Sequence, residues 1–232
     1  MSGTFETITT ADGAFRAYVA RPAAAKAPAV VVLQEIFGVN DVMRQITDGL
    51  AGQGYLAICP DLFWRLEPGV ELTDQTPEGW KEALALMNRF DIDKGVADIA
   101  ATLAHIRADT ACTGKAGAVG FCLGGLLAFL TATRTDADAS ISYYGVGLEN
   151  RLGEAGKIKA PVMLHIAAED SFSSKAAQDA VTEGLKDNPL VTLHVYPGRD
   201  HAFARPGGEN YDAADAERAG RRSLEFFRKA LG

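Results

Sequence analysis

Cysteine is scarce in this chain: three residues in 232, an odd number, which does not describe a disulfide framework. No Cys-x-x-Cys pair is present, and no group of cysteine and histidine has zinc spacing; neither a metal nor another cofactor is expected. Long apolar runs are also missing, since none reaches the roughly 18 residues a membrane span needs. Met1 to Thr10 is polar, and the Ala-rich stretch near Ala23 is too short for a secretory signal core. The expectation is a cytoplasmic protein with no membrane role. Basic charge is in deficit, with 23 Lys and Arg against 30 Asp and Glu, a net charge of −7. This argues against nucleic-acid binding, which needs clustered cations. It leaves room for a small anionic substrate, because one or two local arginines hold a carboxylate. No Gly-x-Gly-x-x-Gly stands between a strand and a helix, and no P-loop appears, so a nucleotide site is not indicated.

What is present is an alternation of apolar β-branched runs with amphipathic stretches. Strands are predicted at Phe15 to Val19 (at an edge), Ala29 to Leu33, Tyr55 to Cys59, Gly117 to Phe121, Ala139 to Tyr144, Val162 to Ile166 and Val191 to Tyr196. Helices are predicted at Asp41 to Leu50, Pro77 to Asn88, Asp93 to Arg107, Leu123 to Thr133, Ser174 to Leu185 and Asp212 to Ala230. Such alternation predicts an α/β fold, a mostly parallel sheet with helices on both faces, in one domain spanning 1–232. The stretch from Phe63 to Glu78 lacks a clear period. It reads either as a loop overhanging a site or as a plain surface excursion.

The main chemical signal is Gly120-Phe121-Cys122-Leu123-Gly124, between a buried-looking strand and a small-residue helix. This is the nucleophile-elbow pattern Gly-x-Ser-x-Gly with cysteine in place of serine. A nucleophile there stands clear of the sheet at a helix N-terminus, whose partial positive charge favours a thiolate. The Leu123 amide then faces the reacting carbonyl as an oxyanion donor. In this fold the acid and the base follow the nucleophile in that order. Asp170 lies in the turn after the Val162 strand, and His201 in the loop after the Val191 strand. Both stand just beyond C-terminal strand ends, where open α/β sheets meet ligands. Glu169 and Asp200 are rivals to Asp170, although Asp200 adjoins His201 too closely to orient it easily. Cys59, Cys112, His105, His165 and His194 lack such placement and are expected to be packing or surface residues.

Glu35 follows the apolar Ala29 strand, where a carboxylate is expensive unless paired or hydrogen-bonded. It reads either as half of a structural ion pair, with Arg205 as candidate partner, or as a carboxylate aimed at the nucleophile. The Ile36 amide, in the loop after that strand, is the candidate second oxyanion donor.

Five blocks now stand in order: Gln34-Glu35-Ile36-Phe37-Gly38-Val39-Asn40, Cys59-Pro60-Asp61-Leu62, Gly120 to Gly125, Tyr143-Tyr144-Gly145-Val146-Gly147 and His201-Ala202-Phe203-Ala204-Arg205. Over nearly the whole chain they resemble the dienelactone hydrolase family (carboxymethylenebutenolidase). The resemblance implies a triad of Cys122, His201 and Asp170, with the amides of Ile36 and Leu123 as oxyanion hole. It also implies that Glu35 switches between a pair with Arg205 and contact with the thiol. It implies opening of a carboxylate-bearing enol-lactone to maleylacetate. Candidate substrate contacts are Arg205, Tyr144, Phe37, Trp80 and Lys81. One departure stands out. Where the family places a second carboxylate-binding arginine, this chain reads Trp80 with Lys81 beside it, and a nearby tyrosine position reads Leu84. A lysine is a point charge and not a planar fork.

Two other readings remain open: an esterase or thioesterase of the same fold acting on another small molecule, and a non-catalytic protein whose Cys122 senses oxidants. The partner expected is a small-molecule ester or lactone bearing a carboxylate, with no nucleic acid and no membrane, and the protein is expected to be a monomer or weak homodimer.

Overall fold

The computed structural model describes residues 3–232. Eight strands follow the order β1-β2-β4-β3-β5-β6-β7-β8, with six α-helices between or after them. The α/β class is as expected, with a mixed, mostly parallel sheet. Cα positions divide the chain into two compact units, Met1–Gly117 and Ala118–Gly232.

In the first unit, β1 (Thr4–Thr10) and β2 (Gly13–Ala20) form a hairpin, and β2 continues antiparallel to β4 (Leu56–Pro60). β3 (Ala27–Leu33) runs parallel to β4. All seven β3 residues are buried, as a strand covered on both faces requires. Helix α1 (Asp41–Gly52) packs on β2, β3 and β4, and α3 (Ile92–Ala108) packs on β1, β3 and β4. The expected edge strand, Phe15 to Val19, is in fact interior, because the polar segment before it forms β1. Thr4–Thr10 buries Ile8 alone, so its sequence carries almost no apolar signal, although threonine suits a pleated strand.

In the second unit, β6 (Ala139–Tyr143), β7 (Val162–Ala167) and β8 (Val191–Tyr196) run parallel. They follow β5 (Cys112–Phe121), whose last four residues, Ala118 to Phe121, belong to this unit and lead into α4 (Leu123–Arg134). α4 is buried from Leu123 through Thr133, so it is apolar on every side, as an interior helix must be. α5 (Lys175–Leu185) packs on a 3-10 helix, Leu148–Lys157, which the sequence reading left out. α6 (Ala213–Leu231) packs on β6 and β7.

The predicted helix boundaries agree to within one or two residues, and side-chain caps mark the start of every α-helix but α4. Asn40, Asp91, Ser174 and Asp212 each accept a backbone N–H from the first turn of α1, α3, α5 and α6. Thr76 does the same for α2 (Pro77–Arg89), with proline at its start. Among the described residues no helix is long and apolar enough to cross a membrane.

Candidate active site

The turn from β5 into α4 begins with a steric demand. A Cβ on Gly120 would lie 1.9 Å from the Gly124 carbonyl oxygen, and one on Gly125 would lie 2.6 Å from that of Tyr143. Glycine at both places lets the strand fold directly into the helix. Between them Cys122 takes φ 55° and ψ −115°, a conformation that L side chains rarely adopt and that costs about 1–3 kcal/mol. The surroundings hold it there: Cys122 N donates to Tyr143 O at 3.1 Å, and Cys122 O accepts from Gly125 N at 2.9 Å. The Leu123 amide is the first of α4 and has no acceptor within the helix.

Two loops of the same unit bring up the other groups. Asp170, beyond the end of β7, is buried, and its Oδ1 accepts from Phe172 N at 2.9 Å. His201, beyond the end of β8, is 3% exposed. Its Nδ1 lies 3.1 and 2.9 Å from the two Asp170 oxygens. The ring is held edge-on by Tyr144, at 5.1 Å between centroids, and by Phe172, at 4.8 Å. The imidazole also hydrogen-bonds Cys122. With Nδ1 committed to Asp170, that contact falls to Nε2. Burial by itself would push the His201 pKa down. Charge on the Cys122 sulfur and the bonds to Asp170 and Cys122 outweigh it and raise the pKa to about 10. The site therefore favours an imidazolium beside the sulfur at neutral pH.

Cys122, His201 and Asp170, widely separated in sequence, are thus brought together, along with Tyr144 and the Leu123 amide. Glu169 is exposed, and the Asp200 carboxylate bonds backbone amides rather than the imidazole. Arg205 is buried in the loop after His201, with its carbonyl accepting from Gly208 N at 3.1 Å.

Glu35, Ile36, Phe37, Trp80 and Lys81 belong to the first unit. Glu35 and Ile36 are buried just past β3. The turn is set by Gln34, fully buried, whose Oε1 accepts from Leu62 N at 2.9 Å and whose Nε2 donates to Glu35 O at 3.3 Å. The segment 63–78 is tied onto this turn: Leu72 N donates to Phe37 O at 2.9 Å, and Asn40 Nδ2 donates to Leu72 O at 3.0 Å. Gly38 permits that approach, since a Cβ there would meet Val70 O at 2.0 Å. Trp80 stands edge-on to Phe37 at 5.1 Å between centroids and donates from Nε1 to Asp74 O at 2.9 Å. Lys81 and Leu84 are exposed on α2.

The histidines expected to be packing or surface residues have such places. His165 bonds the Tyr196 hydroxyl at 2.8 Å and Ser223 Oγ at 3.0 Å, and burial pushes its pKa far down. His194 is part-buried in β8, and His105 lies on α3, 3.5 Å from Glu6. Burial pushes the Cys59 thiol up, out of the reactive range, and Cys112 begins β5 rather than preceding it. Two residues escaped the sequence reading. Gln34 heads the first of the five blocks but has no period or spacing that reveals its role, whereas Phe172, an aromatic in a polar turn, was a legible signal.

Residues 15–231 match the dienelactone hydrolase family. A protein of Azospirillum brasilense is 50% identical over 223 residues, 95% of this chain and 96% of that one. A carboxymethylenebutenolidase of Pseudomonas putida is 41% identical over 221 residues, 95% of this chain and 94% of that one. Among solved structures, one from Klebsiella pneumoniae subsp. pneumoniae superposes with a TM-score of 0.85 at 28% identity, covering 97% of this chain and 98% of that one. The chain belongs to the dienelactone hydrolase family, within the α/β-hydrolase superfamily, and is a carboxylic ester hydrolase.

Proposed function

We propose that this hydrolase opens an enol-lactone bearing a carboxylate, such as dienelactone (4-carboxymethylenebut-2-en-4-olide), to maleylacetate through a triad of Cys122, His201 and Asp170. The observation that carries this reading is the strained Cys122 at the start of α4, beside an imidazole anchored to a buried carboxylate.

The Cys122 thiolate attacks the lactone carbonyl, and the Leu123 amide stabilises the oxyanion. The ring C–O bond breaks, the enolate leaves, and a thioester forms on Cys122. Acylation removes the charge on sulfur. Two of the influences that raise the His201 pKa then vanish, while burial, the largest influence, stays and pushes it down. His201 gives its proton to the departing oxygen and becomes a neutral base. It next takes a proton from water, which attacks the thioester and releases the acid, regenerating thiolate and imidazolium. Asp170 holds the ring through both steps.

The family resemblance adds Glu35 as an alternative acceptor of the thiol proton, the Ile36 amide as second oxyanion donor, and Arg205, Phe37 and Tyr144 as substrate contacts. Trp80 favours a second reading, a small neutral ester or thioester. Its indole is committed to Phe37 and Asp74 O and offers no cation where the family has an arginine.

The test is hydrolysis of cis-dienelactone beside p-nitrophenyl acetate, with Cys122→Ala as control and Lys81→Ala as probe of the missing arginine. Fast Cys122-dependent lactone opening supports the first reading. Ester turnover without lactone turnover supports the second. Undiminished turnover of either substrate by Cys122→Ala removes the triad.

A further inference from the structure

The imidazole and its carboxylate partner sit on two separate loops, 168–173 after β7 and 197–205 after β8. The strand ladder ends at Ala167↔Tyr196. Past it the loops are joined backbone to backbone by Ala168 N to Tyr196 O at 3.1 Å and Glu169 N to Arg199 O at 2.8 Å. A side chain completes the junction. Asp200 Oδ1 accepts from Ser171 N at 2.7 Å and from His201 N at 2.6 Å. One oxygen therefore bridges the amide that follows Asp170 and the amide of His201 itself.

We propose that Asp200 is a positioning residue: its carboxylate clips the His201 loop to the Asp170 turn and so sets the distance between imidazole and carboxylate. This rests on reading Cys122, His201 and Asp170 as the catalytic triad.

The loop needs such a clip. Ala202, next to His201, has φ 63°, a strained conformation that persists where its surroundings enforce it. The enforcement comes from both sides of His201. Its amide is held by Asp200, and its carbonyl accepts from Asn210 Nδ2 at 3.0 Å. Further back, Arg199 ties the loop to the start of α6 through Asp212 and Asp215. Asp200 alone among these side chains reaches the Asp170 turn. Bonds to an ionised acceptor are short and about twice as strong as neutral ones, as these two distances suggest. Asp200 leaves the imidazole nitrogens to Asp170 and Cys122, so its contribution is spacing.

The experiment compares Asp200→Ala and Asp200→Asn with the wild-type enzyme. Asparagine keeps an acceptor oxygen in place and alanine removes it. A displacement of about 1 Å costs about 100-fold in rate. The expected result is a 10- to 100-fold loss of kcat in Asp200→Ala, with KM nearly unchanged and most of the rate kept in Asp200→Asn. The second readout is the downfield proton resonance of His201 Nδ1–H, sharp in wild type and Asp200→Asn, broadened or lost in Asp200→Ala. Should Asp200→Ala fail to fold, Asp200→Ser, too short to span both amides, takes its place. Wild-type kcat together with an unchanged resonance in the clip-less variant overturns the proposal, as does an Asp200→Asn enzyme as impaired as Asp200→Ala. If Cys122→Ala retains turnover, the triad reading fails, and the resonance alone judges the clip.

Discussion

The two units treat unusual backbone conformations in opposite ways. In the first, the left-handed positions among the described residues are glycines, such as Gly38, Gly54 and Gly69, where the conformation costs little. Two of its buried carboxylates, Asp98 and Asp61, are hydrogen-bonded. Asp98 accepts from Trp64 Nε1 at 2.8 Å and from Arg65 Nη2 at 2.8 Å, and Asp61 accepts from Gly69 N at 2.7 Å. In the second, three residues that are not glycine take positive φ: Cys122 at 55°, Tyr144 at 37° and Ala202 at 63°. One is the nucleophile, one packs on the base, and one follows the base in sequence. The first unit places glycine at its left-handed positions. The second concentrates strain where a thiol and an imidazole must meet, the placement expected of a catalytic centre.

The largest test of that contrast is Cys122→Ala. Hydrolysis should fall by about 1,000-fold or more in a protein that still folds. The same variant reports on pH. The His201 pKa is raised to about 10 from an ordinary 6.5, so its contribution to stability is fully present below 6.5 and is lost as pH rises through about 10. Melting curves at alkaline pH should show this loss in wild type and much less of it in Cys122→Ala. Next comes Asp98→Ala in the first unit. It leaves the Trp64 N–H without its acceptor and Arg65 with Asp12 as its remaining carboxylate, and urea unfolding should register a loss of about 1–3 kcal/mol with kcat of the folded enzyme preserved. A fall in kcat without lost stability would break the comparison.

Smaller effects sharpen it. In the second unit, away from the site, Glu154 accepts from Arg134 Nε at 2.8 Å and Nη2 at 2.6 Å. This fork lowers the Glu154 pKa to about 2. Glu154→Gln should cost about 1–3 kcal/mol at neutral pH. The difference from wild type should shrink as pH falls from about 4.5 toward 2, as the native carboxylate is protonated. Ala202→Gly should be the mildest. Relief of the left-handed strain should leave stability within about 1 kcal/mol of wild type, while a looser His201 loop lowers kcat severalfold. Unchanged kcat there would mean that strain at Ala202 serves no catalytic purpose.

Helix positions were legible because Thr76-Pro77, Asp91, Ser174 and Asp212 announce them with side chains that bond the first turn. β1 was not, since its one buried residue, Ile8, leaves no alternation to read. The 3-10 helix Leu148–Lys157 was hidden likewise, because glycines interrupt it and it lacks the 3.6-residue period. At the site, the types and order of Cys122, Asp170 and His201 were legible from strand ends and the elbow spacing.

The sequence by itself determined the α/β alternation, the helix starts and which three side chains have the chemistry to form a triad, because these follow from local sterics, capping and hydrophobic period. Only the tertiary structure decided that both Asp170 oxygens face His201 Nδ1, that Tyr144 and Phe172 pin the ring, and that Asp200 joins two loops. The bonds from Asp170 to His201 and from Asp200 to Ser171 link residues about 30 positions apart, and they form when β7 and β8 pair side by side. No local pattern along the chain encodes the distance between two loops.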